Sequence, residues 1–170
     1  MHTRSTTARF TQLCAAIALT LAATASFAAD TGPAVAPAKA DPLAAAREQI
    51  AAKKWVAAID ELKKVNATDS ADWNNLMGYS YRKAKTPDYD AAERHYNEAL
   101  RIDPKHRGAL EYSGELYLMK GDLAKAEERL ATLDKVCTFS CAEYRDLKKA
   151  VESYRKAGNK YVAADGNGGW

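Results

Sequence analysis

Between residues 42 and 157, apolar and small residues return at steps of three and four, most clearly as Tyr89, Ala92, Tyr96 and Ala99 with charged residues between them. Such spacing aligns side chains along one face of a helix and predicts that this stripe is buried. His95, between Arg94 and Tyr96, is expected beside it on the exposed side. The stripe has counterparts at a fixed distance. Trp55, Ala58, Leu62 and Val65 lie 34 residues before it, and Leu123, Ala126, Leu130 and Leu133 lie 34 residues after it. A second pattern precedes each stripe: Gly78 and Tyr81 return 36 residues on as Gly114 and Tyr117. The offset differs because Lys85-Thr86-Pro87-Asp88 is two residues longer than the turn at Lys120-Gly121-Asp122.

Paired helices repeated at this period predict a stacked array of antiparallel hairpins, since one such unit cannot bury its apolar face alone. The predicted hairpins span 42–66, 71–104 and 107–135. The first helix opens after Asp41 with Pro42 in its first turn, a favoured start. Tyr144, Leu147, Val151 and Tyr154 then mark one further helix over 141–157, with no partner after it. It has the form of a cap covering the last apolar flank, which makes seven helices in all.

The residue types sharpen the pattern. Gly78 and Gly114 stand where a first helix must come close to the second, because a missing Cβ lets two backbones approach. Ala92 and Ala126 supply the small contact on the second helix. Tyr81, Tyr96 and Tyr117 are large bodies at complementary heights, Leu130 takes the fourth place, and Ala99 closes the first stripe. Asp103-Pro104 then ends the first copy, as a proline just past a helix does. In these residues the chain resembles the tetratricopeptide repeat family over 71–104 and 107–135, with Trp73 one residue from the place of the family's tryptophan. The resemblance implies an all-α, right-handed superhelical array, an α-solenoid, whose work is protein binding.

The ends of the sequence carry a different signal. Arg4 and Arg9 precede an uncharged run from Leu13 to Ala23, and Ser26-Phe27-Ala28 completes a secretory leader over 1–28, cut after Ala28. The run is too short to cross about 30 Å of hydrocarbon, and no other stretch is long enough. Export to the periplasm or beyond is the expected location. Cleavage removes two arginines from 25 basic residues and none of the 22 acidic ones, leaving a mature net charge of +1. Near neutrality argues against nucleic acid as a partner. The one basic cluster, at Arg101, Lys105, His106 and Arg107, reads as a solvated loop between repeats. Residues 29–41, with Pro33 and Pro37, suit an extended tether, and 158–170, with four glycines, a mobile tail.

Little in the mature chain suggests catalysis. Its carboxylates sit at helical surface spacing beside Lys and Arg, no nucleophile is paired with a base, and no glycine-rich phosphate loop occurs. No cofactor or metal is expected. Cys137 and Cys141 are the only cysteines after the leader, and in an oxidising compartment such a pair is most simply a disulfide fixing the start of the cap helix. The sharper alternative is a redox- or metal-responsive site at this pair. Against it stand the wrong spacing for a thioredoxin-type motif and the lack of nearby histidines.

Binding by shape is what remains. The first helices of stacked hairpins line the concave side. Helical spacing assigns Asn75, Tyr79 and Arg82 to that groove from the first copy, Glu111, Glu115 and Leu118 from the second, and Arg145 and Lys149 from the cap. The blander reading has Tyr79 and Leu118 packing against neighbouring helices. Mixed charge with apolar patches suits an extended peptide or a segment of another protein. Some tetratricopeptide domains clamp a peptide's terminal carboxylate, but here Asn75 and Tyr79 replace the Lys and Asn that this needs. A self-assembling subunit is the third reading, and it predicts a concentration-dependent mass.

Overall fold

The computed structural model describes residues 40–162. The leader over 1–28, nearly all of the tether over 29–41 and the tail past residue 162 lie outside the described residues. Those described form seven helices and no strand. They are α1 (Ala44–Ala51), α2 (Trp55–Val65), α3 (Ala71–Lys83), α4 (Tyr89–Ile102), α5 (Arg107–Met119), α6 (Leu123–Val136) and α7 (Ala142–Lys156). Consecutive helices pair as α1 with α2, α3 with α4 and α5 with α6. α7 packs on α5 and α6. This is an all-α, tetratricopeptide-like solenoid, as the repeat predicts.

Local sequence fixes the joints. Ser70, Asp88 and Asp122 each accept a hydrogen bond from the backbone N–H three residues on, at Trp73, Ala91 and Lys125, and so satisfy a donor that the first turn leaves without a helical partner. Asn66 ends α2 in a left-handed conformation, φ 50°. The shorter α5–α6 turn needs Gly121 at φ +80°, a conformation most side chains resist. The longer α3–α4 turn makes its way round with Pro87 and no glycine.

The core comes in two clusters, with α5 between them. One face of α5, with Ala109, Tyr112 and Leu116, joins Leu62, Tyr79, Ala92 and Tyr96 in the first cluster. The opposite face, with Leu110, Tyr117 and Leu118, joins Leu133, Leu147 and Val151 in the second. A helix packed on both sides is buried nearly all round, which is why every residue from Trp73 to Ser80 on α3 is buried. Within the hairpins, Ala92, Tyr96, Ala99 and Ala126 are fully buried and Tyr117 is nearly so. Tyr81 is half-buried, stacked on the His95 ring of α4 at 5.7 Å, and Pro104 lies in the exposed α4–α5 turn.

Several sequence expectations are corrected by this packing. Tyr89 is 37 % exposed at the first position of α4, so the stripe starts at Ala92. His95 is half-buried between Trp73 and Tyr81, and its Nδ1 lies 3.1 Å from the Asn74 amide oxygen. Its ring is aromatic packing material as much as a polar group, and burial followed by the Arg94 charge pushes its pKa down. Gly114 comes closest to Leu147 of the cap helix, where its twin Gly78 meets the second helix of its own hairpin. Tyr161, in the segment expected to be mobile, is half-buried against the second cluster.

Candidate functional site

The side chains that share the inner surface come from the first helix of each hairpin. At its centre, Tyr79 of α3 lies between Trp55 of α2, edge-on at 5.7 Å, and Tyr112 of α5 at 4.7 Å. The Arg82 guanidinium lies over both tyrosines, 5.5 Å from the Tyr79 ring and 5.4 Å from that of Tyr112. It donates from Nη1 to Glu115 Oε2 at 2.6 Å. The Arg82 side chain is only 2 % exposed and Glu115 21 %, so this is a cation held inside an aromatic bracket by one partly wetted carboxylate. Lys83, exposed at the end of α3, has its ammonium 6.0 Å from the Tyr79 ring.

Toward the N-terminal ends of the same helices the surface opens into a cavity of about 530 Å³. Its wall is built by Asn75 of α3, by Gly108, Glu111 and Tyr112 of α5, and by Glu143 and Asp146 of α7. Arg47 of α1, Asp72 of α3 and Lys105, His106 and Arg107 around the start of α5 form the rim. The absence of a side chain at Gly108 leaves space for the Asn75 amide, since a Cβ there would lie 3.1 Å from Asn75 Nδ2.

The rim cations already have carboxylate neighbours. Arg47 bridges Asp41 at 3.2 Å and Asp72 at 3.1 Å, and Arg107 approaches Glu143 at 3.7 Å. His106 caps α5: its Nδ1 accepts from the Ala109 N–H at 3.0 Å, which leaves the proton on Nε2, 2.9 Å from Asp72 Oδ1. That donated proton, helped by Arg47, holds the Asp72 carboxyl below its usual range. Inside the cavity the balance reverses. Glu111 is 8 % exposed, and burial, together with the neighbouring carboxylates Glu115, Asp146 and Glu143, pushes its pKa up to about 8. Asn75 lines the same cavity, and its amide oxygen is buried with no hydrogen-bond partner among the described residues.

The structure thus brings together Asn75, Tyr79, Arg82, Glu111 and Glu115, from the two inner helices the sequence named. Leu118 is not among them. It is 1 % exposed and belongs to the second core cluster, and Tyr79, 9 % exposed, packs in the first, as the blander reading had both. Arg145 and Lys149 are exposed on α7, with the Arg145 guanidinium donating to the Ser140 carbonyl at 2.6 Å. The α7 residues that line the cavity are Ala142, Glu143 and Asp146. Tyr112, Glu143 and Asp146 were missed because a repeat offset transfers a position from one helix to the next without the rotation of each helix about its own axis.

Cys137 and Cys141 are bonded, with their Cα atoms 5.5 Å apart, and Cys141 is the residue from which α7 starts. No group of three or more His, Cys, Asp or Glu residues that could hold a metal ion occurs among the described residues. Closing so short a loop contributes about 2 kcal/mol by chain entropy. Reduction, or Cys137→Ser with Cys141→Ser, is expected to lower stability by up to about that amount and to fray the first turn of α7. Urea unfolding and amide exchange at Tyr144–Leu147 would show it.

Comparison with known proteins agrees with this architecture. Residues 86–157 match the tetratricopeptide repeat sequence profile. The Yersinia enterocolitica type III secretion chaperone SycD, in complex with a peptide of the translocator YopD, superposes with a TM-score of 0.56 at 21 % identity, over 68 % of this chain and 88 % of that one. A second structure, of the Yersinia enterocolitica type III secretion translocator chaperone SycD, gives 0.56 at 22 % identity, over 68 % of this chain and 79 % of that one. At these identities the likeness concerns the fold.

Proposed function

We propose that this chain, whose residues 86–157 match the tetratricopeptide repeat profile, is an exported, non-enzymatic adaptor that holds an extended segment of another protein along its inner surface. One observation carries the reading. α3 and α5 align a row from Asn75 and Glu111, through Tyr79 and Tyr112, to Arg82 and Glu115, buried except at Glu115, with a cavity opening at its Asn75 and Glu111 end. Extended peptides suit such rows, because alternate side chains can enter pockets while the backbone lies across the helices. The SycD structure that holds a translocator peptide supports this as a use to which the fold is put.

The test is site-specific capture. A photo-crosslinking phenylalanine analogue at Lys83, exposed beside Tyr79, is expected to trap a discrete partner from a periplasmic extract. The same group at Arg101, on the exposed side of α4, is expected to trap none. Equal labelling from both positions, or from neither, would remove the inner surface as the binding face.

Export rests on the leader at 1–28, and the mature chain is expected to begin at Ala29, with its cysteines protected from thiol reagents. N-terminal sequencing and labelling of the periplasmic fraction check both points. Free or reversibly oxidised thiols would instead favour a redox role for Cys137 and Cys141.

A further inference from the structure

We propose that the cavity between α3, α5 and α7 is a socket for a lysine side chain of the bound segment, with Glu111 as counter-ion and the Asn75 amide oxygen as second acceptor. This deepens the peptide-binding reading and rests on it. Three observations meet at one place. Glu111, Glu143 and Asp146 line the same wall, so an incoming cation finds more negative charge there than the rim cations offset. The Asn75 amide oxygen, on a residue only 5 % exposed, has no hydrogen-bond partner among the described residues, and a buried acceptor without a donor is costly. The cavity, about 530 Å³, has room for a long side chain, and the Tyr112 ring lies in its wall to cover an aliphatic stem. An ammonium group brings three donors and a compact charge, which suits Glu111, Asn75 and Asp146, drawn from three helices around one cavity.

The cations nearest Glu111 do not fill this role. Arg82 of α3 is held by Glu115 at the other end of the row. Arg47 of α1 is engaged by Asp41 and Asp72, and Arg107 of α5 lies near Glu143. Lys105 and His106 sit on the rim, His106 against Asp72. Glu111 therefore faces Glu115 on its own helix and Glu143 and Asp146 on α7, with Arg82 the one cation that acts to lower its pKa.

Proton linkage makes the socket measurable. Free Glu111 holds its proton up to about pH 8, and an ammonium group favours the ionised form. Binding below that pH therefore releases a proton, and affinity should rise with pH by up to tenfold per unit from pH 6 to 8, then level off. The probe is a fluorescein-labelled, C-terminally amidated dodecapeptide of alanine, glutamine and leucine with one central lysine. A copy with norleucine in that place is the control. Fluorescence anisotropy is expected to show the lysine peptide binding at least tenfold more tightly at pH 8, a difference of about 1.4 kcal/mol. Its pH slope should disappear in Glu111→Gln, whose fold is checked by circular dichroism.

Equal affinity for the two peptides overturns the socket, and so does a slope that survives in Glu111→Gln. Binding of neither peptide overturns it as well. Capture at Lys83 then decides separately whether the inner surface binds protein at all.

Discussion

Gly78→Ala is expected to destabilise the protein by about 1–3 kcal/mol, although alanine is the better helix former by about 1 kcal/mol. The reason lies in what the added methyl would meet. An ideal Cβ at Gly78 falls 2.8 Å from both Cδ1 and Cε1 of Tyr96 and 3.1 Å from the Ala92 carbonyl oxygen. Tyr96 is fully buried, so its ring has nowhere to swing, and the third neighbour is backbone. Relief requires α3 and α4 to part, which loosens contacts along the whole hairpin. At Gly114 the clash is with the Leu147 side chain, at 2.5 Å and 2.7 Å from its methyl carbons. Leu147 is fully buried as well, but no backbone atom is among the contacts and the cap helix can slip outward, so Gly114→Ala should cost less. Tyr96→Leu, which copies Leu130 of the second repeat, should recover part of the loss in Gly78→Ala. A double-mutant cycle in urea, with unfolding followed by circular dichroism, measures that coupling. Strict additivity of the two changes would show that Gly78 is not kept small by Tyr96.

The same contact shows what made the fold legible. Gly78, Ala92 and Tyr96 stand in the order small, small, large across two helical patterns, and few arrangements other than a tight hairpin use them together. Helix number follows from the same source, because each stripe is bounded by turn residues such as Asn66, Pro87 and Gly121. The inner surface was only half legible. Asn75, Tyr79 and Arg82 follow from counting around α3, but counting cannot say that Tyr79 is covered by Trp55 and Tyr112. Leu118 and Tyr89 fail for related reasons. Leu118 shares the inner row's spacing, but α7 packs on α5, and Leu118 enters the core cluster that joins them. Tyr89 shares the stripe's spacing, but as the first residue of α4 it sits beside the α3–α4 turn and is 37 % exposed. The acidity of the cavity had no local signal, since Glu111 and Asp146 are 35 positions apart and meet only through the packing of α7 on α5.

Loss of the Glu115 carboxylate is expected to be the most damaging change on the inner surface. Glu115→Leu leaves the Arg82 guanidinium buried with its one carboxylate partner gone, and Arg82 Nε already lacks a hydrogen-bond partner among the described residues. Breaking a fully buried pair in this way costs about 3–5 kcal/mol. Glu115 is 21 % exposed, so water screens part of the interaction, and the expected loss is about 2–4 kcal/mol. Arg82→Met alone should cost less, since Glu115 can turn its charge toward solvent. The double replacement Arg82→Met/Glu115→Leu removes both desolvated groups, keeps apolar volume beneath Tyr79 and Tyr112, and should return to within about 1 kcal/mol of the parent. The cycle therefore predicts strong positive coupling, read from urea midpoints at constant m-value. Two single losses that simply add in the double variant would mean that the pair is not a unit. The double variant also changes the cavity at a distance. Glu115 is the strongest charge raising the Glu111 pKa, and Arg82 is the charge opposing it. Since the acid outweighs the guanidinium at Glu111, removing both should bring its titration down from about 8, visible in the carboxyl carbon resonance. The pair that braces the centre of the groove would then also set the pH at which its acidic end becomes charged.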